Sequence, residues 1–150
     1  MAMELHHTFT VDAPPEDTWA LLTDLEQVGG CFPGATVTSA TKEEFTGNVK
    51  VKLGPIGVTY QGEGRFVERD DETHRAVIEG LGKGLRGLGN ASAKVILQLA
   101  PDGTGTTADV TTSLNITGKP AQFGRGVMQS VSDKLLGQFV ECIEGKLTAG

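Results

Sequence analysis

The chain is 150 residues long, the size of one domain with one buried core, and its 13 Lys and Arg against 19 Asp and Glu give a formal net charge of −6. Apolar residues make up 38% and charged residues 21%, with 21 glycines, which is globular composition and excludes a disordered chain. The negative balance excludes a chain-wide nucleic-acid surface, because phosphate contacts need concentrated positive charge; a local basic patch is still allowed.

The N-terminus, Met1-Ala2-Met3-Glu4-Leu5-His6-His7, has neither the basic region nor the apolar run of a secretory signal, and no stretch reaches the ~18 apolar residues of a membrane span. Cys31 and Cys142 lack CxxC spacing and a His at metal-ligand spacing, so no zinc site is expected. Both are read as free thiols of a soluble, cytoplasmic protein.

In chain order, the alternation of Leu5, His7, Phe9 and Val11 predicts a half-buried strand over 5–11. Pro15 suits a first helical position, Glu16 and Asp17 complement the positive end of a helix dipole, and Trp19, Leu22, Leu25 and Val28 form a stripe ending at Gly29-Gly30. This is a short helical pair. Period-two patterns then predict strands over 36–40, 44–53, 58–68, 74–79, 91–100 and 106–117, joined by short charged or glycine-rich connectors in an antiparallel meander. Residues 120–147 read as one long helix of about 42 Å with a wide apolar face, which must lie across the concave side of the meander. The fold class is α+β: seven antiparallel strands wrapped around a long C-terminal helix, with two short helices after strand one, in one domain over 1–150.

The punctuating residues resemble those of a known family. They are Phe9-Thr10-Val11 with Ala13-Pro14, Trp19 with Leu22, Asp24 and Leu25, and Cys31-Phe32-Pro33-Gly34-Ala35. Further along come residues 47–55, the glycine run 80–89, Leu99-Ala100-Pro101, and Gly118-Lys119-Pro120-Ala121 entering the long helix. The ordered set resembles the carbon monoxide dehydrogenase G-subunit family, within the helix-grip superfamily of START-like and birch-pollen-allergen-like proteins. The resemblance implies a cavity between sheet and helix for a lipophilic ligand, carried without a covalent cofactor. It also implies that the ligand is a respiratory quinone such as menaquinone, shuttled between a molybdenum-containing carbon monoxide dehydrogenase type enzyme and the inner face of the cytoplasmic membrane. Relatives often continue past the long helix into a flexible linker and a hydrophobic C-terminal membrane anchor; the sequence here ends at Thr148-Ala149-Gly150.

Alternation names the candidate ligand-lining positions: Val49, Val51, Tyr60, Phe66, Ile78, Ala93, Val95, Leu97, Val110 and Leu114 on strands, and Phe123, Val127, Met128, Val131 and Leu135 on the helix. Tyr60, the single tyrosine, is the first choice to orient a quinone carbonyl, against the reading of a hydroxyl reaching solvent. His7 falls on the inward phase and reads as a satisfied structural histidine; Trp19 reads as packing, and His6 and His74 as exposed. Cys142 reads as a small hydrophobe and Cys31 as reactive only if exposed.

In a meander, alternate connections fall at the same end of the sheet. One end then gathers the glycine-rich segments 29–34, 54–57, 80–90 and 118–120, with Phe32, Leu85 and Leu88 beside Lys52, Lys83, Arg86, Lys119 and Arg125. The other end is mostly acidic. The basic, apolar end is expected to be the cavity mouth and the docking surface, for an anionic membrane or an acidic partner. No nucleophile with a base, carboxylate pair or metal set assembles from these residues, so a carrier is expected rather than an enzyme. The alternative is an adaptor or maturation factor that recruits the partner enzyme to the membrane without carrying a ligand.

Overall fold

The structure, a computed structural model, describes residues 2–148. Strand β1 (Ala2–Val11) turns Met3, Leu5 and Val11 into the core while its alternate residues stay exposed. Pro15 starts α1 (Pro15–Leu22) after an extended Pro14, and Thr18, Trp19, Leu21 and Leu22 are its buried face. The apolar stripe continues into α2 (Leu25–Gly29), but the backbone breaks at Thr23-Asp24 because the Asp24 side chain accepts from the Gln27 amide at 3.2 Å, a new N-cap.

The remaining strands are β2 (Ala35–Ala40), β3 (Glu44–Leu53), β4 (Ile56–Asp70), β5 (Arg75–Gly84), β6 (Asn90–Asp102) and β7 (Gly105–Ile116). They form one antiparallel sheet in the order β1-β7-β6-β5-β4-β3-β2. Four strands run two or more residues further than the sequence pattern suggests: β1 at its N-terminal end, β4 at both ends, and β5 and β6 at their C-terminal ends. β5 continues through Gly84 because Gly80, Gly82 and Gly84 keep the inward phase and Leu81 and Lys83 the outward one, leaving a connector of only 85–89. Gly62 lies where β4 folds against β5: a Cβ there would run into the Leu81 carbonyl, so only glycine permits this approach.

The long helix α3 (Gly124–Thr148) starts four residues later than the predicted 120. Residues Lys119–Phe123 instead form a 3-10 turn, and Gly124 at φ 78 reorients the chain before regular helix begins. Where α3 crosses the sheet, the buried residues divide into two clusters. One joins Trp19, Leu22, Cys31, Ala76, Leu97 and Ala108 around Ile143. The other joins Met3, Leu5, Leu53, Val58, Tyr60 and Ile116 around Met128.

The cysteines are not free thiols. Cys31, after α2, and Cys142, in the C-terminal half of α3, form a disulfide with Cα atoms 5.4 Å apart across 111 residues of sequence. Sequence spacing carries no sign of it, because the pair meets only when α3 is laid across the sheet. His74 is likewise not exposed but half-buried, its ring 5.3 Å from that of Trp19.

Candidate ligand site and basic rim

Between the two clusters the inner face of the sheet is apolar yet incompletely covered. Ile78 pairs with Val95 and Gly80 with Ala93, and Ile78, Ala93 and Val95, like Leu135 of α3, are half-buried and belong to neither cluster. Small residues continue this row: Gly64 pairs with Gly80, and Ala93 with Leu114. A face of this kind has lost packing contacts that an apolar ligand would restore. Two open depressions of about 480 and 890 Å³ also lie over the sheet. The larger is lined by Gly64, Gly80, Ala93 and Leu114 of this row together with the outward-facing Glu63, Leu81 and Ser92, and α3 contributes to neither.

Tyr60 stands at one border of this strip, 8% exposed within the Met128 cluster. Its hydroxyl is buried and, among the described residues, has no hydrogen-bond partner. Burial raises its pKa, so the group stays neutral and able to donate. An unpaired buried hydroxyl costs about 1–3 kcal/mol, a deficit that an acceptor oxygen on a ligand would cancel.

His7 and Asp133 clamp β1 to α3: the imidazole Nε2 and the Asp133 Oδ1 are 2.8 Å apart, and Gln129 donates to the same oxygen at 2.8 Å. Sequence reading identified the histidine but missed its partners; the i, i+4 spacing of Gln129 and Asp133 on the predicted helix was the available signal. The hydrogen bond from His7, then that from Gln129, holds the Asp133 pKa below the ordinary aspartate range. A carboxylate lowered in the folded state stabilises above its unfolded pKa and loses that contribution as pH falls through its folded value. Asp133→Asn is therefore expected to lower the melting temperature at pH 7, where the carboxylate contributes, and to leave it unchanged near pH 2, so that the loss between about pH 5 and 2 shrinks. Parallel melting-temperature profiles of the two proteins would refute this.

The row Gly47–Gly62–Gly82–Ala91–Ile116 divides the sheet. Beyond it, residues 47–62, 82–91 and 116–127 contain Lys50, Lys52, Lys83, Arg86, Lys119 and Arg125 and no Asp or Glu. All 19 Asp and Glu residues lie in the rest of the chain. The glycine-end loops touch one another: the Asn90 amide donates to the Thr117 hydroxyl at 2.9 Å, and Phe123 lies over Gly54. Leu88 folds onto the Met128 cluster, whereas Leu85 is 38% exposed. Phe32, 41% exposed, lies between the disulfide-bonded Cys31 and Gly34, which abuts Lys50 of β3.

Of the remaining candidate lining positions, Val49, Val51, Leu114, Phe123 and Val131 pack on the Met128 cluster, and Phe66 and Val110 on the Ile143 cluster. Leu97 is buried within the latter. Met128, 3% exposed, is a packed wall. Val127 is half-buried and in neither cluster. Among the described residues no group of His, Cys, Asp and Glu has metal-site geometry, and no helix is long and apolar enough to cross a membrane.

A seven-stranded antiparallel sheet gripping a long C-terminal helix, with a helical pair after the first strand, is the helix-grip fold. The chain belongs to the carbon monoxide dehydrogenase G-subunit (CoxG) family, whose model matches residues 8–148. Among solved structures, a conserved protein from Geobacillus kaustophilus is 17% identical, with a TM-score of 0.87 over 98% of this chain and 96% of that one. The Zhui aromatase/cyclase from Streptomyces sp. R1128 is 15% identical (TM-score 0.68, 100% and 99% covered), and Ara h 8.0201 is 16% identical (TM-score 0.70, 100% of both). At these identities the likeness is one of fold. A search of curated protein sequences finds no match to the chain.

Proposed function

We propose that this protein is a carrier: it holds a lipophilic quinone, with menaquinone the expected form, between the inner face of the sheet and α3. It would move the quinone between a molybdenum-containing carbon monoxide dehydrogenase type enzyme and the inner face of the cytoplasmic membrane. The observation that carries this reading is the buried, partnerless Tyr60 hydroxyl beside an apolar strip that the protein's own side chains leave half-covered. A quinone offers the matching chemistry, an apolar ring and tail with a carbonyl oxygen that accepts from Tyr60. Family membership supports the partner.

Catalysis by this chain has less support. On the inward phase of the described strands the ionisable groups are His7, Tyr60 and, beyond the β4 bulge, Arg69; His7 is committed to Asp133, and Arg69 to Asp71 and the Phe66 ring. Together they supply no nucleophile with a base, so the quinone would be reduced at the partner enzyme and not here.

The untagged protein is extracted with organic solvent, the extract is analysed by mass spectrometry, and the stripped protein is titrated with menadione. A stoichiometric quinone, or saturable menadione binding, is expected. Ala93→Phe should abolish it by filling the strip. Tyr60→Phe should weaken binding about tenfold while leaving the apo protein equally or more stable, because it deletes an unsatisfied group. An empty protein that also fails to bind menadione refutes the carrier and favours the adaptor, a reading the basic rim supports equally.

A further inference from the structure

We infer that the turn Leu85–Gly87, with the cations around it at the acid-free end, is the surface by which this protein docks on an anionic lipid bilayer. The proposed carrier role supplies its purpose, but the inference stands on separate observations.

The first is charge segregation. Six cations share this end with no Asp or Glu, while the remainder carries seven cations and 19 acids, so the six-plus pole and twelve-minus pole still sum to −6. A molecule so polarised is oriented by a negative plane before contact, its acidic pole turned away. The second is the tip itself. Leu85 is exposed on the connector between β5 and β6, with Lys83 before it and Arg86 after it. Arg86 sits at φ 60, ψ 32, a left-handed conformation that costs a non-glycine residue roughly 1–2 kcal/mol. A glycine would relieve that strain, so an arginine here points to a use for its charge.

The third is the character of the surface. Protein interfaces are built around buried aromatic or arginine anchors with charge depleted at the centre. Here the exposed Leu85, with Leu81 also exposed just across the Gly82 row, stands among dispersed cations on glycine-rich segments. That suits a diffuse anionic plane, with Leu85 at the headgroup boundary. Docked this way, the Met128 cluster, which holds Tyr60 and on which Leu88 and Phe123 pack, lies nearer the bilayer than the Ile143 cluster with its disulfide.

The test is flotation of the full chain with vesicles of phosphatidylcholine alone or with about 30% phosphatidylglycerol, at about 0.1 M and about 0.5 M salt. Binding to the anionic vesicles alone, lost at the higher salt, is expected. The pair Lys83→Gln, Arg86→Gly should lower it about 25-fold, roughly fivefold per charge, whereas Lys42→Gln at the acidic end should leave it unchanged. Arg86→Gly removes the backbone strain, so loss of binding by that variant is not a folding failure; circular dichroism verifies this. Absence of vesicle binding, equal binding to neutral lipid, or equal effects of the two ends would overturn the inference. So would variant-sensitive binding to polyglutamate without vesicle binding, which assigns the end to an acidic protein. Menadione binding is read separately: its loss with vesicle binding intact removes the carrier role alone, and the converse removes the docking surface alone.

Discussion

Replacing Cys31 and Cys142 together by serine is expected to lower the unfolding free energy by about 2–4 kcal/mol, seen as a lower urea midpoint relative to the oxidised protein. The bond closes a loop spanning 111 residues of sequence and ties the α2–β2 segment to α3. Without it the denatured chain regains that freedom, and the helix keeps only its packing around Ile143 at this end. Reductant should move the wild-type midpoint by the same amount and leave the double variant unmoved. Equal midpoints with and without reductant, together with two alkylatable cysteines in the native protein, would show that the bond does not form. Because such bonds persist in oxidising compartments, the alkylated fraction in intact cells also reports where the protein resides.

Ile143→Ala is expected to cost about 2–5 kcal/mol, the range for a large-to-small change at a fully buried position that cannot collapse. Ile143 is 0% exposed and central to the cluster that joins α1, the sheet and α3. Val95→Ala, on the half-covered strip, should cost less than about 1.5 kcal/mol, because that side chain has fewer packing contacts to lose. Urea unfolding of both variants gives the comparison. Similar losses would mean that the strip is packed as tightly as the Ile143 cluster, which would remove the physical basis for a ligand site there. If the strip holds a ligand, added menadione should raise the midpoint of Ile143→Ala, since it binds only the folded state.

Element order and the inward phase were legible in the sequence because both are local. Alternation along 44–53 returns β3 with the same bounds, and Pro15 with Glu16 and Asp17 marks the start of α1. Glycines misled at two places for opposite reasons. Those at 80, 82 and 84 read as a connector, yet they continue β5 because neighbouring strands satisfy their backbone and their missing side chains make room inside the curled sheet. The glycine at 124 was absorbed into a continuous apolar pattern, yet its left-handed backbone delays the helix.

Residue order alone was enough to set out one strand, a helix pair, six strands and a long helix, to turn Tyr60 and His7 inward, and to gather basic residues at the glycine-rich end. All follow from periodicity two, helical periodicity, and the rule that alternate hairpins share an end. Which partners those residues meet was fixed by three-dimensional packing. The Cys31–Cys142 bond, the His7–Asp133 clamp and the lack of any described partner for the Tyr60 hydroxyl each depend on where α3 crosses the sheet. That crossing is set by packing between segments more than a hundred residues apart, as Cys31 is from Cys142 and His7 from Asp133, a distance over which no local pattern carries information.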